Sequence, residues 1–378
     1  MLRIGVARAG GWTLHLVLGV SDFQLIVSCL IVLAIASRVA LLLALSPATP
    51  VGDMDQYIRL ATEPAARAGL ESTDRGPVYP ALLGLAARAH TDPVRAACLL
   101  NIVLGAVSVV LVAVVARRLL SRRWALVAAS MIALEPALAV YSTMVLTEVT
   151  AVTLVTAAVV AITGIRDWRA AALAGACLGA AALTRDSLVL FVPLAALVVG
   201  RHAGARPAAA LAMAAVLTIL PWSMRTTLVA GRPVLISTSC GYNLLIGNNR
   251  FADGSQRGGR RILADEASPV SEGLDPGTRH ARGTRHAVAW IVHHPGHFLL
   301  KGMAGAVRMF GLDRQLLYAW REGYYAARVP RLLVLALAAV TMGSWIVLLP
   351  LALLGVLVAR GLLRDLGIAA LVWMVMIG

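Results

Sequence analysis

Leu220-Pro221-Trp222-Ser223-Met224-Arg225 closes an apolar run that begins at 207, and the reading of the chain turns on this stretch. A membrane helix is expected to end in its Pro-Trp pair, with an arginine one turn later. The chain then becomes polar and reaches Gly241-Tyr242-Asn243-Leu244-Leu245-Ile246-Gly247-Asn248-Asn249. A site embedded in a membrane would meet water in such a segment.

The rest of the sequence agrees with a membrane helix. Hydrophobic residues make up 59% of the 378 and charged ones 14%, against roughly a quarter charged in soluble domains. Mean hydropathy is +0.80. Apolar runs fall at 23–46, 94–116, 124–143, 145–165, 170–184, 187–200, 207–223, 330–358 and 366–378. An all-α polytopic membrane protein with about nine spans of about 20 residues follows. The first run is too long for the core of a cleaved signal peptide and reads as a transmembrane helix. The runs 170–184 and 187–200 are short, either as two helices meeting at Thr184-Arg185-Asp186 or as a re-entrant hairpin. Two spans are favoured, because they keep the flanking arginines in alternation. The last run reaches Gly378 before it could cross, so a truncated chain or an incomplete final helix is expected.

The net charge is +15. The arginines sit in short loops: Arg3 and Arg8, Arg117 to Arg123, Arg166 and Arg169, Arg201 and Arg206, Arg360 and Arg364. That is the positive-inside pattern, so no nucleic-acid partner is inferred. It gives a cytoplasmic N-terminus with loops 47–93 and 224–329 outside. Three regions follow: a transmembrane module 1–223 carrying the outer loop 47–93, an extracytoplasmic loop or lid 224–329, and C-terminal helices 330–378. Interfacial helices are expected at 76–90 and 295–310, and 250–286 reads as an exposed loop without periodicity. Of four cysteines, Cys29, Cys98 and Cys177 lie in apolar runs and Cys240 in a polar one, which supports neither a disulfide framework nor zinc. His293, His294 and His297 are split by Pro295 and read as an interfacial loop rather than a metal site.

Charges beside membrane spans are costly and therefore informative. Arg38, Glu135, Glu148, Arg185, Asp186 and Arg225 all fall near one face, the face of Asp53, Asp55 and Arg75. Any one of them could be a snorkelling side chain at a helix end. Together they suit a lipid phosphate: arginines bind the phosphate, a carboxylate serves as general base, and the tail lies against apolar helices. A proton-coupled transporter would place its acids at the midplane instead.

Five short elements, in order along the chain, resemble the bacterial dolichyl-phosphate-mannose–protein mannosyltransferase-like members of the GT-C superfamily. They are Asp53 with Tyr57, Arg75-x-Pro77-x-Tyr79-Pro80, Thr147-Glu148, Leu183-Thr184-Arg185, and Pro221-Trp222 with Arg225 and the Gly-Asn-Asn segment. Met54 stands where many relatives have Glu, and Asp55 adds a second acid. The resemblance implies an inverting transferase that moves a sugar from a polyprenyl-phosphate donor to an acceptor hydroxyl outside the cytoplasm. It makes Asp53 the base, with Asp55 as the alternative. Arg75 and Arg185, with Arg38 or Arg225, would hold the lipid phosphate. Tyr57, Tyr79, Glu148 and Asn248 would bind substrate. No cofactor is implied, although Asp53-Met54-Asp55 leaves a divalent cation open. The acceptor could be protein, lipid or polysaccharide. A transporter or flippase of lipid-linked precursors, or a non-catalytic membrane assembly subunit, stands as the alternative.

Overall fold

A computed structural model describes residues 21–90, 92–265, 268–270, 273–309 and 314–377. The expectations resting on Arg3, Arg8, Phe310 and Gly378 lie outside these residues. The described chain is helical, and its one β-bridge joins Pro47 to Tyr325. The main helices are α1 (Asp22–Leu45), α2 (Asp53–Thr62), α3 (Val78–Ala86), α4 (Pro93–Leu119), α5 (Arg122–Leu134), α6 (Glu148–Thr163), α7 (Trp168–Ala182) and α8 (Phe191–Ala203). They continue with α9 (Ala205–Ala230), α10 (Ser239–Gly247), α11 (Pro276–His293), α12 (Pro295–Met309), α13 (Arg314–Arg321), α14 (Arg331–Val358) and α15 (Gly361–Ile377). Local chemistry sets several starts. Ser21 and Gln24 form a capping box on α1, and Asp92, Asp167 and Asp275 cap α4, α7 and α11.

Among the described residues five helical segments are long and apolar enough to span a bilayer: α1, α4, 186–203, α9 and α14. The apolar α6, with 16 residues, is about 24 Å long at the usual helical rise. Large apolar side chains such as Val32, Leu43, Leu173, Leu197 and Leu228 face outward, as in an integral membrane protein. The bundle closes on small residues. Gly175 and Gly179 of α7 lie so close to α9 that added Cβ atoms would sit 2.0 Å from the Leu211 carbonyl oxygen and 2.9 Å from that of Ala215. This is small-xxx-small packing, which brings backbones within dispersion range where apolar burial between helices gives no drive.

The two polar segments meet at one end of the bundle. The Ala48 N–H donates to the Tyr324 carbonyl at 2.9 Å, and the Thr238 N–H to that of Thr73 at 2.8 Å. Arg122 pairs with Asp22 and Arg201 with Asp365 at the opposite helix ends.

Four elements differ from the sequence reading. The run 124–143 is not one helix: α5 ends at Leu134, and a second helix, Pro136–Tyr141, starts on its proline with Glu135 as cap. α9 does not stop near 223 but passes through Pro221 to Ala230, ending at Gly231 with φ 63°. Proline removes one helical donor and leaves the rest, and the left-handed glycine provides the stop. The first outer segment is not a loop with one interfacial helix, since α2, 64–68 and 70–74 precede α3. The segment 250–286, expected to lack regular structure, contains helical turns at 256–264 and the start of α11. Its Gly, Arg and Ser hide that periodicity.

Candidate active site

Asp53 is the first residue of α2. Gly52 before it has φ 57°, a conformation open to glycine, and so starts the helix sharply. α2 crosses α3 closely: a Cβ on Gly84 would lie 2.8 Å from the Ala61 carbonyl oxygen. The crossing brings Asp53 and Tyr57 against the Arg75 loop. Arg75 Nη2 lies 2.5 Å from Asp53 Oδ1, and its Nε donates to Gln56 Oε1 at 2.8 Å. The guanidinium carbon is 5.6 Å from the Tyr57 ring centroid, and Tyr57 meets Tyr79 edge to face at 5.2 Å. Burial pushes the Tyr57 phenol up from its ordinary value and that of Tyr79 well above it, so both stay neutral.

Gly76 places this loop on a second one. A Cβ there would sit 2.0 Å from the Leu183 carbonyl oxygen, so the Arg75 loop rests directly on the Leu183-Thr184-Arg185 turn. Arg185 Nη1 meets Glu148 Oε1 at 2.5 Å and donates to Thr147 Oγ1 at 3.3 Å. The charges of Asp53, Arg75, Arg185 and Glu148 all act on the Tyr57 hydroxyl. Two acid–arginine pairs thus converge on one buried tyrosine. A hydroxyl-rich strap, Ser237-Thr238-Ser239, closes the group: Ser237 Oγ donates to Asp186, Thr238 Oγ1 to Asp74, and Ser239 Oγ to the Asp74 carbonyl at 2.8 Å.

The remaining candidates have other places. Asp55 pairs with Arg59 at 3.1 Å, and Arg59 reaches Glu71 at 2.6 Å, so this second acid has its own partners and not those of Asp53. Arg38 is fully buried between α1, α4 and α5, where Nη1 donates to the Ala34 and Ala133 carbonyls, each at 3.0 Å. Its hydrogen bonds among the described residues go to helix carbonyls, not to the Asp53 group. Arg225 Nη2 donates to the Arg67 carbonyl and to Ser72 Oγ, and the guanidinium lies 4.8 Å from the Trp222 ring centroid. Asn248 stands beyond the end of α10 beside a separate small cleft. Among the described residues no three His, Cys, Asp or Glu side chains gather as metal ligands.

Beside the paired acids and arginines opens a cleft of about 740 Å³. Its polar lining is arginine-rich, with Arg67, Arg75, Arg88 and Arg225 and no carboxylate, while Leu60, Ala61, Pro80, Leu85 and Trp222 supply an apolar wall. Arg225 Nη1 is buried there without a hydrogen-bond partner. An anionic head with an apolar tail suits such a lining. Reading the sequence missed Gln56, the contact role of Gly76 and the 237–239 strap. Gly76 stands in the Arg-x-Pro element, but nothing in one sequence shows what it touches.

An all-helical membrane protein with a basic, acid-edged site at one end is the class this geometry defines. Residues 74–224 match the family model described as dolichyl-phosphate-mannose-protein mannosyltransferase. The match supports a GT-C mannosyltransferase-like family and a GT-C type glycosyltransferase. It takes in Arg75, Tyr79, Glu148 and Arg185, while Asp53, Tyr57, Arg225 and Asn248 lie outside the matched residues. No curated protein and no solved structure matches the chain.

Proposed function

We propose that the chain transfers a sugar from a polyprenyl-phosphate donor to an acceptor hydroxyl, with inversion, on the extracytoplasmic face of a bacterial cytoplasmic membrane. The N-terminus is then cytoplasmic. One observation carries this reading: the Asp53–Arg75 and Glu148–Arg185 pairs sit on two loops that touch at Gly76 and Leu183, at the edge of a cleft that is basic on one side and apolar on the other.

The lipid phosphate enters the cleft and takes Arg75 as a charge-assisted partner, with Arg225 on the same lining and Arg185 on the turn that touches the Arg75 loop. A phosphate on Arg75 displaces its ion pair and frees the Asp53 carboxylate. Asp53 then accepts the proton of the acceptor hydroxyl as its oxygen bonds to the anomeric carbon. The bond from that carbon to the phosphate oxygen breaks, and its electron pair stays on the polyprenyl phosphate, where the arginines stabilise the added charge. Tyr57 and Tyr79 stay neutral and, packed edge to face, back the Arg75 guanidinium. The products are a glycosylated acceptor and free polyprenyl phosphate.

The test follows release of polyprenyl phosphate by the purified full chain, given a panel of polyprenyl-phosphate sugars and envelope extract. Turnover by wild type and its loss in Asp53→Asn are expected. Turnover undiminished in Asp53→Asn would remove Asp53 as base, and the absence of turnover with every donor would overturn the transferase reading.

A further inference from the structure

A second cleft, of about 200 Å³, lies in the polar segment away from the paired acids and arginines. Its geometry starts from two glycines. A Cβ on Gly241 of α10 would lie 2.3 Å from the His280 carbonyl oxygen, and one on Gly283 of α11 would lie 2.5 Å from that of Gly241. The two helices therefore touch backbone to backbone. Seven residues beyond each contact, two turns on, stand Asn248 and Trp290, both lining the cleft. His286, one turn before Trp290 on the same face of α11, joins them.

Asn248 and Asn249 are neighbours with different duties. Asn249 is fully engaged: its Nδ2 donates to the carbonyls of Leu245, Ile246 and Gly259, and its Oδ1 accepts from the Phe251 N–H. It fastens the end of α10 to the following turn. Asn248 donates from Nδ2 to the Leu244 carbonyl at 2.9 Å. A carbonyl can only accept, so the amide orientation is fixed and Oδ1 is the atom left over. That oxygen is buried without a partner, on a residue only 5% exposed. A buried acceptor without a donor costs about 1–3 kcal/mol. A ligand donor in the cleft removes that cost.

The rest of the lining narrows the ligand. Trp290 gives an aromatic surface, held from elsewhere by stacking on His294 at 5.1 Å between centroids. Arg250 and Asp265, ion-paired to each other, set opposite charges side by side. An anion would meet Asp265, a cation would meet Arg250, and an alkyl chain would leave the Asn248 oxygen unpaired. A neutral ring with hydroxyl donors and acceptors around its edge and an apolar face satisfies all of them. The volume is below the roughly 300–1,000 Å³ of sites for drug-sized ligands, which limits the cleft to about one ring.

We propose that Asn248, Arg250, Asp265, His286 and Trp290 form a subsite for one neutral pyranose unit of a glycan acceptor. This assignment of the acceptor rests on the transferase reading, while sugar binding by the cleft does not. α10 links the two places: Asn248 is nine residues beyond Ser239, about 13 Å at the helical rise, and Ser239 bonds to the Asp74 carbonyl beside Arg75. A glycan seated here runs toward Asp53 and presents a hydroxyl several units away.

The test is saturation-transfer NMR on the full chain in detergent, with the methyl glycosides of mannose, glucose, galactose and N-acetylglucosamine as probes. At least one glycoside is expected to bind at millimolar concentration, strongest through the protons of one ring face. Trp290→Leu and Asn248→Leu should each weaken it roughly tenfold, about the net worth of one aromatic contact or one hydrogen bond. His286→Ala, at an exposed position, should weaken it without a folding cost and serves if the buried variants fail to fold. No transfer to any glycoside, or transfer unchanged in Trp290→Leu and His286→Ala, would overturn the subsite. Release of polyprenyl phosphate from the donor panel with envelope extract is followed in parallel on wild type. Release without glycoside binding removes the subsite and keeps the transferase. Glycoside binding without release keeps the cleft as a sugar site and removes the transferase.

Discussion

Replacing Gly76 with alanine tests whether the two arginine loops must touch. The new methyl would sit 2.0 Å from the Leu183 carbonyl oxygen and 2.7 Å from its carbon, where ordinary contact begins at 3.4 Å. Both partners are backbone, so no side chain can swing away, and the loops must separate by about 1 Å or more. Overpacking of this kind costs about 1–3 kcal/mol, which a folded bundle of this size can bear. The larger effect is on chemistry. Arg75 precedes Gly76 and Arg185 follows Leu183 by two residues, so the shift pulls the two guanidinium groups apart. A misplacement of about 1 Å near reacting atoms costs about 100-fold in rate. Gly76→Ala should therefore fold in detergent, melt a few degrees lower, and release polyprenyl phosphate about 100-fold more slowly. Gly296→Ala, where an added Cβ meets nothing within 4 Å, is the control for glycine replacement itself. A folded Gly76→Ala protein with turnover within about threefold of wild type would refute the argument that contact between these loops sets the phosphate site.

Asp53→Asn should lower transfer by about 100- to 10,000-fold, the usual worth of a general base. It should also tighten binding of a labelled polyprenyl-phosphate donor, because Arg75 loses its competing carboxylate; weaker donor binding would contradict the exchange of partners. Gly175→Val would drive a branched side chain into the Leu211 carbonyl and should destabilise the α7–α9 pair by at least the 1–3 kcal/mol typical of overpacking, read as a lower melting temperature in detergent. Burial pushes the His280 imidazole below its ordinary value of 6.5, and its Nδ1 accepts from the Gly241 N–H at 3.1 Å. The unfolded chain then takes up the proton more readily, so this contribution is full above about 6.5 and is lost as pH falls below it. Amide exchange in 239–247 should quicken as pH drops from 7 to 5.5, after correction for intrinsic rates, and His280→Gln should abolish the step.

The spans were legible because lipid imposes long apolar runs, and α1, α4 and α14 fall within a few residues of the runs that signal them. The end of α9 was not. A proline with tryptophan marks the edge of the apolar run, while the helix itself continues on intrahelical hydrogen bonds that polar residues form equally well. Arg75 and Arg185 stood out as charges near one face, and the structure rests their two loops on each other through Gly76 and Leu183. The glycines at these contacts, Gly76 between the two loops and Gly84 between α3 and α2, carry no chemical signal, since their role is the absence of a Cβ against another stretch of backbone. Arg38 shows the converse. As a charge in an apolar run it looks functional, but its Nη1 donates to the Ala34 and Ala133 carbonyls inside the bundle, away from the Asp53 group. Asp53 and Asp55 are two residues apart in sequence, yet on a helix that spacing turns their side chains to different partners.

The passage of α9 through Pro221 makes one wall of the large cleft a continuation of a membrane rod. With 26 residues, this rod is about 39 Å long. Its upper part grips two separate pieces of the polar face: Trp222 Nε1 donates to the Ile236 carbonyl and Ser223 Oγ to that of Val234, each at 2.9 Å, while Arg225 holds Arg67 and Ser72. The rod therefore acts as a lever arm. A tilt of about 5° about its lower end moves the tip by about 3 Å over that length, comparable to one hydrogen bond. Tilt is the coordinate through which bilayer thickness acts on a helix. The thickness of the membrane and the width of the arginine-lined cleft are thereby joined by one rigid element.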